Sequence, residues 1–519
     1  MALVVVALLG QMAVGMVTAA MRQTPTIDEP VYAGAAVVYL QQHSLRYNPE
    51  HPPLGKLLLI PGLAFADPRL DPGFEGNQGA LGRHLLYESG NDPWRLMFLA
   101  RLPIIVLTLL FGLVVFAFAR DLTGPLGSIV ALALYAFSPD LIAHGSLATP
   151  DVPMAGFLLT SVWLLWRARR RPRLYLPLAG VALGAAVATK MTALPAVPVL
   201  AGLAVLSLWR AGQSWKKTVV ATLGFGLIAL AVVWLSYLVV DPRLEWTAPA
   251  TARIGGTREM LIQLLPFPEP YRDGMRMQFR MEFGTWSGYL FGEIYEGGRW
   301  YYLPVALLVK TPLGALALWL AGALATLAVP RLRSAALYLL VPSAVLLLFA
   351  MTGTRNFGTR YAIFLPMFLA VAAAAVAAVR WRWAHVATAA LVVFVAVSSL
   401  RTFPYYLPYA NEAFGGPSQT YRHLHDSNVD WGQDLGRLAD HLRSEYPGER
   451  IWLVYKGSGV PSYYGIDAED PLKAPPAEVH GLLVVSNSAL AKADARLIAL
   501  VEASNRIDAV GHSISIYRR

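Results

Sequence analysis

The sequence contains no cysteine. No disulfide braces its loops and no thiolate metal site exists. Charge is also scarce. Charged residues make up 15% of the 519 positions, against about 25% in an ordinary soluble protein. There is no internal repeat, no nucleotide-binding glycine loop and no low-complexity tract. What remains is largely apolar, at 56% of the chain.

That apolar content falls in runs. A helix needs about 20 mostly apolar residues to cross the hydrocarbon core of a bilayer. Runs of that kind lie near 2–20, 97–119, 125–140, 152–167, 174–192, 195–209, 218–240, 301–329, 335–351, 361–379 and 384–399. The expectation is therefore an all-α polytopic membrane protein of about 11 spans. The segment 301–329 contains Lys310-Thr311-Pro312, so its first part is read as a surface or re-entrant helix. Residues 2–20 have no basic flank before them, and Thr18-Ala19-Ala20 leaves a cleaved signal peptide open as an alternative.

Basic residues near span ends mark the cytoplasmic side. Every second loop is basic: Arg120; Arg167, Arg169, Arg170, Arg171 and Arg173; Arg210, Lys216 and Lys217; Arg331 and Arg333; Arg380 and Arg382. Much of the net charge of +10 resides there, where it faces anionic lipid, so no nucleic-acid partner is implied. The segments 21–96, 140–151, 241–300, 352–360 and 401–519 are then expected outside. A cytoplasmic nucleotide-sugar site would need an inner domain, and the inner loops are too short for one.

The outer segments carry the unusual chemistry. The first has Asp28-Glu29-Pro30, then a helical stretch from Val31 to Gln42 expected along the membrane surface, then Glu50-His51-Pro52-Pro53-Leu54-Gly55-Lys56. The second has Ser138-Pro139-Asp140, His144 and Thr149-Pro150-Asp151. Asp28, Asp140 and Asp151 all suit helix N-caps, and that reading is compatible with a chemical role. Lys56, Lys190, Lys310, Arg355 and Arg360 are cations at outer span ends. The orientation rule does not favour cations there, and holding an anion at the membrane surface explains them together. A polyprenyl-phosphate sugar has the matching form, with a charged head and an apolar tail. Glycosyl transfer from it needs a carboxylate to take the acceptor's proton and cations to stabilise the departing phosphate.

Asp28-Glu29, His51-Pro52-Pro53-Leu54-Gly55-Lys56 and Thr149-Pro150-Asp151 resemble motifs of the protein O-mannosyltransferases and, more distantly, of the lipid A aminoarabinose transferases. Both are GT-C membrane glycosyltransferases. Tyr289-Leu290-Phe291-Gly292-Glu293, Gly298-Arg299-Trp300-Tyr301-Tyr302, Lys310-Thr311-Pro312-Leu313-Gly314 and the run from Asp426 to Asp434 are similar to a bacterial branch. The resemblance implies inverting transfer from a dolichyl- or undecaprenyl-phosphate sugar, mannose or a similar hexose. The acceptor is outside the cytoplasm: a protein serine or threonine hydroxyl first, lipid A or an envelope glycan as the alternative. It implies Asp28 as general base, with Glu29 orienting substrate or base. Lys56 and Arg360 become phosphate contacts, joined by Lys190, Lys310 and Arg355. Asp151 and His51 position substrate. The aminoarabinose branch holds zinc near the equivalent of Glu50-His51, and two candidate ligands here leave a divalent metal open.

Two regions are expected. Residues 1–400 form the transmembrane glycosyltransferase part, and 401–519 a small extracytoplasmic α/β domain. The second has a helix at 431–445, strands at Ile451–Tyr455, Leu482–Val485 and Ser513–Tyr517, and a helix near 487–503. Asp430, Trp431 and Asp434 would shape an acceptor site there, with a packed cap on the outer loops as the alternative. A flippase is the rival outside the enzyme class, but transporters favour midplane charges and repeats. A sensor leaves the acid pair and the cations unexplained. A ligase of lipid-linked oligosaccharide is the rival within it.

Overall fold

A computed structural model describes residues 1–247 and 255–519. Among these residues, six helices are long and apolar enough to cross a membrane: Ala2–Arg22, Pro93–Ala136, Pro172–Thr189, Trp215–Val240, Pro330–Ala350 and Ala384–Arg401. The pair Tyr302–Lys310 and Leu313–Ala328 makes a seventh if counted as one span, but it bends by 118° at Thr311-Pro312. Proline lacks the N–H that would continue the first helix, so the break anticipated at this point is present. The chain is a multi-pass membrane protein.

The difference from about 11 spans has physical causes. Pro93–Ala136 is two helices that meet at a kink, where Gly124 takes φ 77°. The two runs expected there, 97–119 and 125–140, thus meet at a glycine without an intervening loop. Asp151–Ala168, Ala196–Arg210 and Phe364–Ala378 are shorter or carry charge at their ends. Asp151–Ala168 and Phe364–Ala378 are mostly buried by their neighbours, whereas Ala196–Arg210 keeps Val205 and Trp209 exposed.

One core binds most of these helices, drawn from nearly every apolar segment. Small residues allow the closest approaches. A Cβ at Gly184 would lie 2.5 Å from the Ala229 carbonyl oxygen, and one at Gly180 would lie 2.9 Å from that of Phe225. This four-residue spacing of glycines seats Pro172–Thr189 directly on Trp215–Val240, as packing within lipid favours.

The connecting segments sort into two groups by contact. At one end Arg167 bonds Asp121, 2.7 Å, and Arg169 reaches Ser334. At the other, residues near 28, 51, 148–151, 190, 310, 355–361 and 407–434 meet. Those are the loops expected inside and outside, respectively. The helix Glu29–Gln42 belongs to the second group, and its first eleven residues are almost all buried by protein.

Beyond the bundle the chain forms a hairpin, β1 (Ser287–Leu290) with β2 (Glu293–Glu296), and a four-stranded sheet. The sheet contains β3 (Ile451–Val454), β4 (Leu482–Ser486), β5 (Asn505–Val510) and β6 (Ile514–Arg518) in the order β3-β4-β6-β5. β3 and β4 are parallel, and the other pairs are antiparallel. Three strands match the expected runs and β5 was not foreseen. It is an edge strand whose first three residues are exposed, so it lacks the apolar alternation that betrays a strand. The expected helix at 431–445 begins later, as Leu435–Glu445, and the one near 487–503 is split into Asn487–Leu490 and Ala495–Glu502.

Candidate active site

Thr24 to Asp28 leaves the first helix extended and is stitched to the segment after Val429. Thr24 N–H donates to the Gln433 carbonyl at 2.9 Å, and Ile27 N–H to that of Trp431 at 2.9 Å. Ser458 Oγ donates to the Thr26 carbonyl. Asp28 emerges from this seam at the start of Glu29–Gln42. Its carboxylate does not cap the helix. Instead Arg360 Nη1 donates to Asp28 Oδ2 at 2.7 Å. Among the described residues no donor reaches Asp28 Oδ1, and the side chain is 31% exposed.

Arg360 is held by its loop. Gly358 has φ 152°, and a Cβ there would lie 2.2 Å from Ser427 Oγ. Ser427 Oγ donates to the Phe357 carbonyl, and Thr359 N–H donates to Asn428 Oδ1. The guanidinium then lies over the Trp431 ring, 4.3 Å from its centroid. Its Nε is buried with no partner.

A second ion pair stands beside the first. Lys190 Nζ donates to Asp151 Oδ1 at 2.6 Å. Asp151 lies in the first turn of its helix without capping it, and its Oδ2 is buried and unpartnered. The Tyr32 hydroxyl feels Asp28, Asp151 and Arg360 together. His51 stands edge-on to Tyr32, 5.6 Å between centroids, with Nδ1 buried and unpartnered. Burial first, then Lys190 and Lys56, hold its ring well below the usual histidine range and therefore neutral. His144 packs against Trp431 with neither ring nitrogen bonded, and Thr149 and Thr359 have buried, unpartnered hydroxyls. Buried polar atoms are almost always satisfied. So many orphans in one place describe a site shaped for a polar ligand.

Several expected site residues have other work. Glu29 Oε1 accepts from Arg101 Nε and Ala148 N–H, and Oε2 from Arg101 Nη2, Thr26 N–H and Thr26 Oγ1. Burial pushes its carboxyl up, but Arg101 and the other donors outweigh this and hold it below the usual range. Glu29 is thus a brace and has no lone pair aimed at a substrate. Lys56 Nζ donates to the carbonyls of Asn48 and His51, both at 2.7 Å, and to Asn48 Oδ1. With three N–H bonds used, it fastens the 48–56 turn and offers none to a phosphate. Lys310 Nζ donates to the carbonyls of Leu407 and Asn428 and lies 3.5 Å from Asp140, so it pins the 407–428 segment. Arg355 pairs with Glu282 at 2.7 Å and also donates to Gln278. It lies at the edge of the cluster, near enough to bear on His51.

Of Asp430, Trp431 and Asp434, it is Trp431 that joins the site, under the Arg360 guanidinium. Asp430 accepts from Gly432 N–H through Oδ1 and from Ser486 Oγ and Ser488 N–H through Oδ2. It ties the loop to the end of β4, and burial pushes its carboxyl up to about 6. Asp434 accepts from Ser513 Oγ at 2.6 Å. Both are therefore struts and not acceptor contacts. At the weak metal candidates, Glu50 Oε1 accepts from Gln78 Nε2, and no group of three or more potential ligands occurs among the described residues. Arg101 escaped the sequence reading. Its signal was an arginine inside the apolar run 97–119, where a charge is costly enough to demand a partner.

Residues 95–237 match the family model of dolichyl-phosphate-mannose-protein mannosyltransferase. No curated protein sequence matches. Among solved structures, ArnT from Cupriavidus metallidurans bound to undecaprenyl phosphate superposes with a TM-score of 0.53 at 14% identity, covering 99% of this chain and 97% of that one. The apo state of the same protein gives 0.52 at 13% identity, with the same coverage. At such identity the likeness establishes the shared fold. The chain thus shares the fold of ArnT over nearly its whole length, and residues 95–237 resemble the mannosyltransferase family.

Proposed function

We propose that this protein transfers a sugar, mannose or a similar hexose, from a polyprenyl-phosphate carrier to an acceptor outside the cytoplasm, with inversion. The observation that carries the reading is the Asp28–Arg360 pair set among buried, unpartnered polar atoms. Asp28 Oδ1 takes the proton of the acceptor hydroxyl as its oxygen attacks the anomeric carbon. The bond from that carbon to the phosphate oxygen breaks, and the electron pair leaves with the phosphate. Arg360 and Lys190 face the growing negative charge, with the guanidinium offering the planar fork that suits phosphate. Asp151 Oδ2, His51 and His144 are left for the sugar hydroxyls.

The ArnT complex with undecaprenyl phosphate supports a carrier of that class, and the mannosyltransferase family match supports a protein hydroxyl as acceptor. Lipid A or an envelope glycan is the alternative. The basic loops at the opposite end from the site support a location in the cytoplasmic membrane with the site facing out.

The test uses purified protein, synthetic polyprenyl-phosphate sugars carrying radiolabel, and an acceptor-rich envelope extract. Label should move with wild type and not with Asp28→Asn. Label reaching protein, lipid or glycan identifies the acceptor class. If no sugar is transferred from any carrier, the reading fails and lipid flipping becomes the activity to assay.

A further inference from the structure

A second group of cations stands near the site and has no role in the step above. Lys456 follows β3, and Lys492 follows the short helix after β4. β3 and β4 are neighbouring parallel strands, so both lysines lie beyond the carboxyl ends of adjacent parallel strands. Open α/β sheets bind ligands at that edge.

Lys456 Nζ bonds Asp426 Oδ2 at 3.0 Å. Lys492 lies over the Phe357 ring, 4.6 Å from its centroid, close enough to Lys456 for the two to repel. Asp426 faces both ammonium groups, and Asp430 also bears on Lys456. Burial and then Lys456 push Lys492 down to about 8. His425 completes the group, almost wholly buried between the Tyr289 and Phe357 rings. Neither of its ring nitrogens has a partner. Asp426 adopts φ 55°, a conformation uncommon outside glycine that often marks functional positions.

The group is wired to the site. Asp426 bears on both Arg360 and Tyr361, and Ser427 and Asn428 hold the 357–359 backbone. Phe357, under Lys492, begins the loop that ends at Arg360.

We propose that Lys456, Lys492 and His425 form an oxyanion subsite for the acceptor, supplied by the segment that follows the last span. An acceptor carrying a phosphate group would dock it between the two ammonium groups and the His425 ring, with its nucleophile directed toward Asp28. The proposal rests on the transferase reading, but its binding test does not.

Inorganic phosphate is the probe, and the readouts are thermal unfolding of purified protein and calorimetric titration. Wild type should show a saturable phosphate-dependent rise in Tm that persists in Arg360→Gln. Lys492→Gln, at an exposed side chain, should weaken phosphate binding about tenfold, as expected for loss of one charged hydrogen bond. Lys492→Arg should restore it. Binding abolished by Arg360→Gln and untouched by Lys492→Gln would assign the phosphate to the donor side and overturn the subsite. No binding at all would also overturn it. Asp28→Asn should leave phosphate binding intact, so a failure of transfer and a failure of the subsite are told apart.

Discussion

Glu29 has both oxygens filled by Arg101, Thr26 and the Ala148 amide, whereas its neighbour Asp28 keeps Oδ1 open. The two acids therefore predict different losses. Asp28→Asn should lower kcat by about 100- to 10,000-fold, the range for a general base, with unchanged unfolding behaviour. Glu29→Gln should instead lower stability by about 3–5 kcal/mol, since it leaves Arg101 buried without its counter-charge; thermal unfolding in detergent reads this directly. Arg360→Lys replaces the fork by a point charge. It should lower kcat/KM for the donor by about 10- to 100-fold, with the protein still folded. Lys56 and Lys310 show where the sequence is silent. It places cations at outer span ends, but it does not say that backbone carbonyls from Asn48, His51, Leu407 and Asn428 fill their donor bonds. Those carbonyls converge only through folding.

At the scale of elements, hydrophobic runs and breakers made most helices legible, because a span must satisfy its own backbone. Proline at 312 reads as an interruption, and it is one; the kink at Gly124 was not foreseen. Hydropathy finds Asp151–Ala168, Ala196–Arg210 and Phe364–Ala378 but fails to say whether protein or lipid covers them. It fails equally for β5, whose first three residues are exposed. Close helix packing gives a test of its own. Gly184→Leu would drive a side chain into Ala229 at a point where even a Cβ comes within 2.5 Å of backbone. It should destabilise by about 1–3 kcal/mol, the usual cost of overpacking, and thermal unfolding is again the measurement. Gly224→Leu is the control, because nothing lies within 4 Å of a Cβ there.

Across the whole molecule, the arginine-rich loops and the candidate site lie at opposite ends. The arginine-rich loops form one end, and the ion pairs Asp28–Arg360 and Asp151–Lys190 the other. The C-terminal sheet is fastened to the second end through Asp430, Asp434 and the seam with Thr24 to Ile27. The absence of cysteine makes the sidedness simple to test, because a single introduced cysteine is unique. In intact cells Ser444→Cys should react with a membrane-impermeant maleimide, and Arg170→Cys should react only after permeabilisation; both positions are exposed. The reverse pattern would invert the topology.

The most direct test of the central claim is transfer of labelled sugar from a synthetic polyprenyl-phosphate carrier by wild type and by Asp28→Asn, side by side. The account predicts label on an envelope acceptor with wild type and none above background with the variant, at equal amounts of folded protein. Equal transfer by both would contradict Asp28 as the base, and the pairing with Arg360 would then be structural alone.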